Sequence, residues 1–332
     1  MQQSIWQETQ SFLNTDNIPI HVIVEITRRC NLHCRHCYNI KDNTFLSLDQ
    51  LQKITKQLRA SGCLFVTLTG GEPTFHPDFI KIFTLFRQEG FDIKLITNGT
   101  LITDDIIHAF IKWGISEIGI SLHGATADTH DDATGVRGSF DLSIENIKSL
   151  KHHGLPIHIK CTITKYNFGE YKDVINLAEQ LGVPYLLDPV VSPGDDGSKD
   201  ILESRINKDD FRKFYEEQYS QFEFDAPKND GFPCDAGKNF GSISASGDVF
   251  PCIQMPVKLG NVFDQQFRDI WREATILKNI REARNCDFKE CSQCELIDAC
   301  TRCPGLAYLE EGDMFGPSRI ACQIAEITRK HT

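Results

Sequence analysis

The chain has too little positive charge for nucleic-acid binding to be its main activity. It carries 35 Lys and Arg against 46 Asp and Glu, a formal net charge of -11, whereas phosphate-backbone binding depends on clustered cations that displace counterions. It has no apolar run of the roughly 18 residues that a membrane-spanning helix needs, so a membrane is not an expected partner. The opening MQQSIWQETQ has neither a basic n-region nor an apolar h-region, which argues against an export signal and for a cytoplasmic protein. Long polar or proline-rich tracts are missing as well, and a folded chain is expected throughout.

Cysteine, by contrast, is abundant, with thirteen in 332 residues. Without an export signal a disulfide scaffold is the less favoured use, and metal or cluster ligation is the default. Ten of the thirteen fall into patterned groups, one near the N-terminus and the rest after residue 230.

Between residues 20 and 190, short β-branched runs alternate with helical patterns, the mark of consecutive βα units and a parallel sheet. Six strands are expected: Val22 to Glu25, Leu64 to Thr69, Ile93 to Thr97, Glu117 to Leu122, Ile157 to Ile163 and Tyr185 to Asp188. Leu48, Leu51, Ile54 and Leu58 form an apolar helical stripe, opened by a Ser47/Gln50 capping box and ending at Gly62. Similar stripes end at Gly154 and Gly182. Right-handed crossovers curl six such units into an α/β fold, a partial (β/α)6 barrel, with functional groups at the C-terminal ends of its strands. A polar helix is expected over Lys208 to Gln221. The division expected is an N-terminal segment over 1–19, a core barrel over 20–221 and a small cysteine-rich domain over 222–332.

The loop after the first strand reads Cys30-Asn31-Leu32-His33-Cys34-Arg35-His36-Cys37-Tyr38. Three thiolates serve three irons of a cubane and leave the fourth open, as a catalytic cluster requires. The alternative is a zinc site completed by His33 or His36. The triplet with Tyr38 resembles the signature of radical S-adenosylmethionine enzymes. That resemblance implies that Cys30, Cys34 and Cys37 hold a 4Fe-4S cluster whose open iron binds the methionine amine and carboxylate, and that one electron cleaves the cofactor to a 5'-deoxyadenosyl radical. Gly70, Gly71 and Glu72 match the family's GGEP element, in which glycines let backbone approach a ligand and the carboxylate accepts from an ammonium. Asn98 and Ser121, at later strand ends, match positions that face the cofactor. Arg137, before Gly138-Ser139-Phe140, departs from the placing seen in many relatives and is not assigned to the site.

After residue 230 come Cys234, Gly247 and Cys252, then Cys291-x2-Cys294-x5-Cys300-x2-Cys303, then Cys322. Ser242 to Phe250 reads as a hairpin delivering Cys252, and Asp264 to Ile280 as one helix. The pattern resembles the SPASM extension that carries auxiliary 4Fe-4S clusters, although three residues, not two, usually separate the cysteines at 300 and 303. The resemblance implies Cys291, Cys294, Cys300 and Cys322 on one cluster and Cys234, Cys252 and Cys303 on another. The fourth iron of the second is left to Cys286, a carboxylate such as Asp235, solvent or substrate. Cys63, Cys161 and Cys286 read as ordinary buried or loop thiols.

Enzymes resembling this arrangement, such as the pyrroloquinoline-quinone and mycofactocin maturases, mostly crosslink or epimerise ribosomally made peptides. A peptide substrate is therefore expected, with a flavodoxin- or ferredoxin-type electron donor. Only about twenty residues precede the first strand, so any leader-binding protein is expected to be separate. Ile253 after Cys252 disfavours sulfatase maturation. The alternatives are oxidation or epimerisation of a sugar or aminoglycoside, decarboxylation of tetrapyrrole side chains, and an iron-sulfur or zinc binding module without turnover.

Overall fold

Side-chain alternation decides which face each strand gives to the helices. In β1 (His21–Thr27), Val22, Val24 and Ile26 are fully buried under the outer helices, while His21, Ile23 and Glu25 take the other face. A computed structural model describes residues 17–40, 42–218 and 232–329. Beyond β1 come α1 (Leu48–Ala60), β2 (Phe65–Gly70), α2 (Phe79–Gln88), β3 (Asp92–Thr97), α3 (Asp104–Trp113) and β4 (Glu117–Ser121). They are followed by α4 (Ala127–Thr134), α5 (Ser139–His152), β5 (Ile157–Thr162), α6 (Tyr171–Leu181) and β6 (Tyr185–Asp188). All six expected strands are present, each parallel to the next.

The Ser47/Gln50 capping box opens α1, and Leu51, Ile54 and Leu58 are completely buried. Phe83 of α2 and Phe110 of α3 meet edge to face at 5.0 Å. Each fully buried side chain of this size contributes about 1.5–3 kcal/mol. The inner face is polar: Lys94 and His158 bracket Glu117 at 2.6 and 3.4 Å, and Thr162 and Asp188 end their strands there.

The expected helix at Lys208 is α7 (Lys208–Gln218); its continuation and the boundary near 221 lie outside the described residues. The expected hairpin is β7 (Phe240–Ile243) and β8 (Asp248–Phe250), turning at Gly247 with φ 84°. β7 pairs in parallel with β1, so the hairpin and β9 (Gly260–Asn261) extend the barrel sheet, in the order β6-β5-β4-β3-β2-β1-β7-β8-β9. The single helix expected over Asp264 to Ile280 is two, α8 (Phe267–Glu273) and α9 (Thr275–Glu282), broken at Ala274. At about 100° per residue an unbroken helix would set Ile280 opposite Trp271, and the break lets both bury.

The chain then runs through the cysteine-rich loops to α10 (Pro304–Glu311) and α11 (Arg319–Thr328). Ile320 and Ile324 of α11 share a core with Phe211 and Phe214 of α7 and Leu187 of β6. The C-terminal part therefore grips the sheet at β1 and again beside β6. Among the described residues no helix is long and apolar enough to cross a membrane.

Candidate active site

The loop from Cys30 to Tyr38 leaves the C-terminal end of β1 and is tied down on three sides. His33 N donates to Thr134 O at 2.7 Å and Arg35 N to Ala133 O at 3.0 Å, both at the end of α4. Gly71 N donates to Thr27 O at 2.7 Å and Glu72 N to Arg29 O at 2.8 Å. A Cβ on Gly70 would collide with the Thr27 carbonyl, and one on Gly71 with the Arg28 and Arg29 carbonyls. The close approach these glycines permit is thus between β2 and the cysteine loop, while both still line the cavity. On the third side, Asp195 N donates to Tyr38 O at 2.9 Å and Asp195 pairs with Arg28 at 3.3 Å.

Cys30, Cys34 and Cys37 are half-buried and open together into a cavity of about 240 Å³. Tyr38, Glu72, Asn98 and Ser121 line it too. Glu72 is 1% exposed. Its Oε1 accepts from Thr74 N at 3.0 Å, Thr74 Oγ1 at 2.5 Å and Thr97 Oγ1 at 2.6 Å, and its Oε2 from Asn98 N at 2.7 Å. Burial pushes its carboxyl pKa up, and these hydrogen bonds act against the shift. Oε2 keeps a lone pair for a further donor. The Asn98 side chain is engaged elsewhere: Nδ2 donates to Asn31 Oδ1 at 2.9 Å, and Oδ1 accepts from Thr100 N at 2.9 Å. Its visible role is to brace the cysteine loop against the end of β3.

Among the lining residues outside the expected site set are Thr97, Asp188 and Gln254. Thr97 and Asp188 are the last residues of their strands. Asp188 is reached by solvent through the cavity but otherwise enclosed by protein, and this desolvation raises its carboxyl. His33 is exposed, whereas His36 lines the cavity and packs against His123, ring centroids 4.3 Å apart. Arg137 is exposed, and the Gly138-Ser139-Phe140 segment serves to start α5, because Asp131 accepts from Gly138 N, Ser139 Oγ and Phe140 N.

The C-terminal thiols sort into two electrostatic neighbourhoods. Cys234 feels Cys303 and Cys252, while Cys322 feels Cys291 and Cys294, and Cys300 feels Cys322 and Cys291. The resemblance to SPASM implies the same division of these sulfurs between two clusters. A Cβ on Gly305 would collide with the Gln254 carbonyl, so this glycine lets the start of α10, next to Cys303, approach the loop that carries Cys252. Cys286 is exposed; Cys63 and Cys161 are buried. Burial raises Cys234 to about 12 and Cys252 to about 11. Thiols this hard to ionise become thiolates at neutral pH when a metal takes the proton's place. Clustered half-buried sulfurs fit iron-sulfur ligation.

A parallel barrel opening onto three loop cysteines, with a cysteine-rich module at its rim, defines a radical-generating iron-sulfur enzyme. Residues 24–178 match the radical SAM superfamily, and residues 234–304 match SPASM, an iron-sulfur cluster-binding domain. The chain belongs to the radical SAM superfamily, carries a SPASM domain, and uses S-adenosylmethionine with 4Fe-4S clusters. It is 29% identical over 330 residues to an AdoMet-dependent heme synthase of Methanosarcina barkeri (strain Fusaro / DSM 804), covering 90% of this chain and 94% of that one. It is 30% identical over 287 residues to the antilisterial bacteriocin subtilosin biosynthesis protein AlbA of Bacillus subtilis (strain 168), covering 81% and 63%. The fold is that of Streptococcus suis SuiB bound to precursor peptide SuiA, with a TM-score of 0.73 at 19% identity over 96% of this chain and 79% of that one.

Proposed function

We propose that this enzyme modifies a ribosomally made peptide by abstracting hydrogen from one of its carbons. Cys30, Cys34 and Cys37 hold the cofactor-binding cluster, and Glu72 receives the methionine ammonium on Oε2. With the cluster and S-adenosylmethionine bound, the site supplies a 5'-deoxyadenosyl radical. The protein's own contribution is positional: Tyr38, Ser121 and the His36/His123 pair wall the cavity, and Thr162 and Asp188 face the space where a substrate would sit.

The observation that carries the peptide reading is the charge of this wall. Its ordinary ionisable carboxylates are Glu72 and Asp188, and none of the residues lining it is Lys or Arg. A neutral peptide segment needs no cation there, whereas a tetrapyrrole with several carboxylates finds no Lys or Arg among these lining residues to pair with. AlbA, a bacteriocin biosynthesis protein, is a relative on this side. The second reading, tetrapyrrole side-chain decarboxylation, draws support from the near full-length match to the heme synthase. A cytoplasmic site of action, a flavodoxin- or ferredoxin-type donor and a separate leader-binding protein complete the proposal.

The test is anaerobic turnover of reconstituted enzyme with S-adenosylmethionine and dithionite, offered candidate precursor peptides or a carboxylated iron tetrapyrrole, and read by mass spectrometry. Loss of two hydrogens from a peptide, or deuterium uptake at one residue, is expected. Loss of carbon dioxide from the tetrapyrrole with peptides untouched would overturn the peptide reading in favour of the second.

A further inference from the structure

Between Cys300 and Cys303 lies a buried cation, Arg302, only 7% exposed. Its Nε donates to Gly316 O at 3.0 Å, and its Nη2 to Met314 O at 2.6 Å and Gly316 O at 2.5 Å. The guanidinium lies over the Phe288 ring, 4.4 Å from the centroid. These contacts fix the fork and leave the third nitrogen, Nη1, buried without a well-formed hydrogen bond, while the side chain comes within weak hydrogen-bonding range of the Cys291 sulfur. Arg302 shares the wall of a cavity of about 250 Å³ with Cys291 and Cys300.

A buried N–H on a charged group is costly to leave unmet, so a strong acceptor brought to this place is the natural completion. The negative groups within electrostatic range of the guanidinium are Cys291, Cys300, Asp313 and Cys303. Asp313 already accepts from Phe315 N at 2.8 Å through Oδ1. The remaining three are sulfurs, two from one implied ligand set and one from the other.

We propose that Arg302 donates from Nη1 to a sulfur of the 4Fe-4S cluster held by Cys291, Cys294, Cys300 and Cys322, and that this fixed positive charge, set between the two auxiliary clusters, raises that cluster's reduction potential. The inference rests on the ligand sets given above. Reduction adds one electron and no proton to a cluster already made negative by four thiolates. A fixed cation with an N–H aimed at sulfur therefore stabilises the reduced form more than the oxidised one. Arg302 is a positioning residue here, acting through the cluster and not on substrate.

The test is an anaerobic redox titration of the reconstituted full chain, followed by electron paramagnetic resonance, on wild type, Arg302→Gln, Arg302→Lys and Cys291→Ala. Arg302→Gln, whose amide nitrogen falls where Nε does and can still donate to the Gly316 carbonyl, should move one auxiliary midpoint to more negative potential by at least the equivalent of a tenfold change, about 59 mV for one electron. Arg302→Lys, keeping the charge without the fork, should move it less. An unshifted midpoint in Arg302→Gln with full iron content overturns the proposal. If the Gln variant loses iron, the Lys variant decides, since a midpoint unchanged there removes the role of the fork. Cys291→Ala guards the ligand assignment separately: unchanged iron content and unchanged signals would show that the sulfurs were wrongly assigned, whatever Arg302 does.

Discussion

Glu25 shows how a single side chain sets the conditions under which this site is stable. It lies 6% exposed on the inner face of β1, and Asn39 donates to it at 3.2 Å. Burial is the main cause that raises its carboxyl from the ordinary 4.5 to about 7, with Arg28 opposing and Asp195 assisting. The folded protein thus holds this proton more tightly than the unfolded chain, and stability declines as pH rises from about 4.5 through 7. Glu25→Gln should flatten that decline and gain on the order of 2–3 kcal/mol at pH 8 while changing little at pH 4.5. Denaturant midpoints across that range provide the check, and parallel curves for the two proteins would refute it. At this scale the cysteines were legible because spacing alone groups them. The orientation of Asn98 was not, since its partners Asn31 and Thr100 are decided by how two loops meet. Asp188 carries no motif, only a strand-end position, and Thr97 is marked by its place beside Asn98 in the Thr97-Asn98-Gly99 segment.

At the scale of elements, the six strands were readable because β-branched runs and glycine-terminated helical stripes alternate without interruption. What could not be read was partnership. The stretch VVSPGDDGSKD after Pro189 reads as a plain loop, yet it straps the cysteine loop in place through Asp195, which pairs with Arg28, accepts from Ile40 N at 3.2 Å and donates its own N–H to Tyr38 O. Asp195→Ala leaves Arg28 and the Ile40 amide unmet, and a cost of about 1–3 kcal/mol is expected. Its distinctive sign should be faster iron loss to a chelator from the cluster at Cys30, Cys34 and Cys37 than from the auxiliary clusters, followed by the cluster signals over time. Equal release from all clusters would mean that the strap has no local hold. The break at Ala274 was likewise hidden, since local helical preference is continuous there and only the burial of both Trp271 and Ile280 requires the turn.

Across the molecule, the cysteine-rich part is not an appendix. Trp271 is buried, donates to Asn17 O at 2.8 Å, and presses on Gly241 of β7, where a Cβ would have no room. Gln57 of α1 accepts from Phe267 N at 2.7 Å and donates to Val262 O at 3.0 Å. Removal of residues from 232 onward would strip β1 of a hydrogen-bonding neighbour and uncover the α7 core, so that fragment should aggregate or expand. The full chain should unfold in one transition, with far-ultraviolet circular dichroism and tryptophan fluorescence coinciding. Two separated transitions would contradict this interlock. Sequence spacing could not reveal it, because pairing between β1 and β7 joins segments far apart in the chain.

The double grip on the sheet has a mechanical reading. An open barrel can splay, and its girth is set by whatever bridges its free edges. Here the C-terminal part works as a belt around the mouth, stitched to β1 by β7 and fastened beside β6, where Arg205 meets the buried Glu310 at 2.7 Å and Lys199 reaches the Glu310 carbonyl at 2.6 Å. That fastening is the point at which the opening could be let out for a bulkier guest without touching a single sulfur.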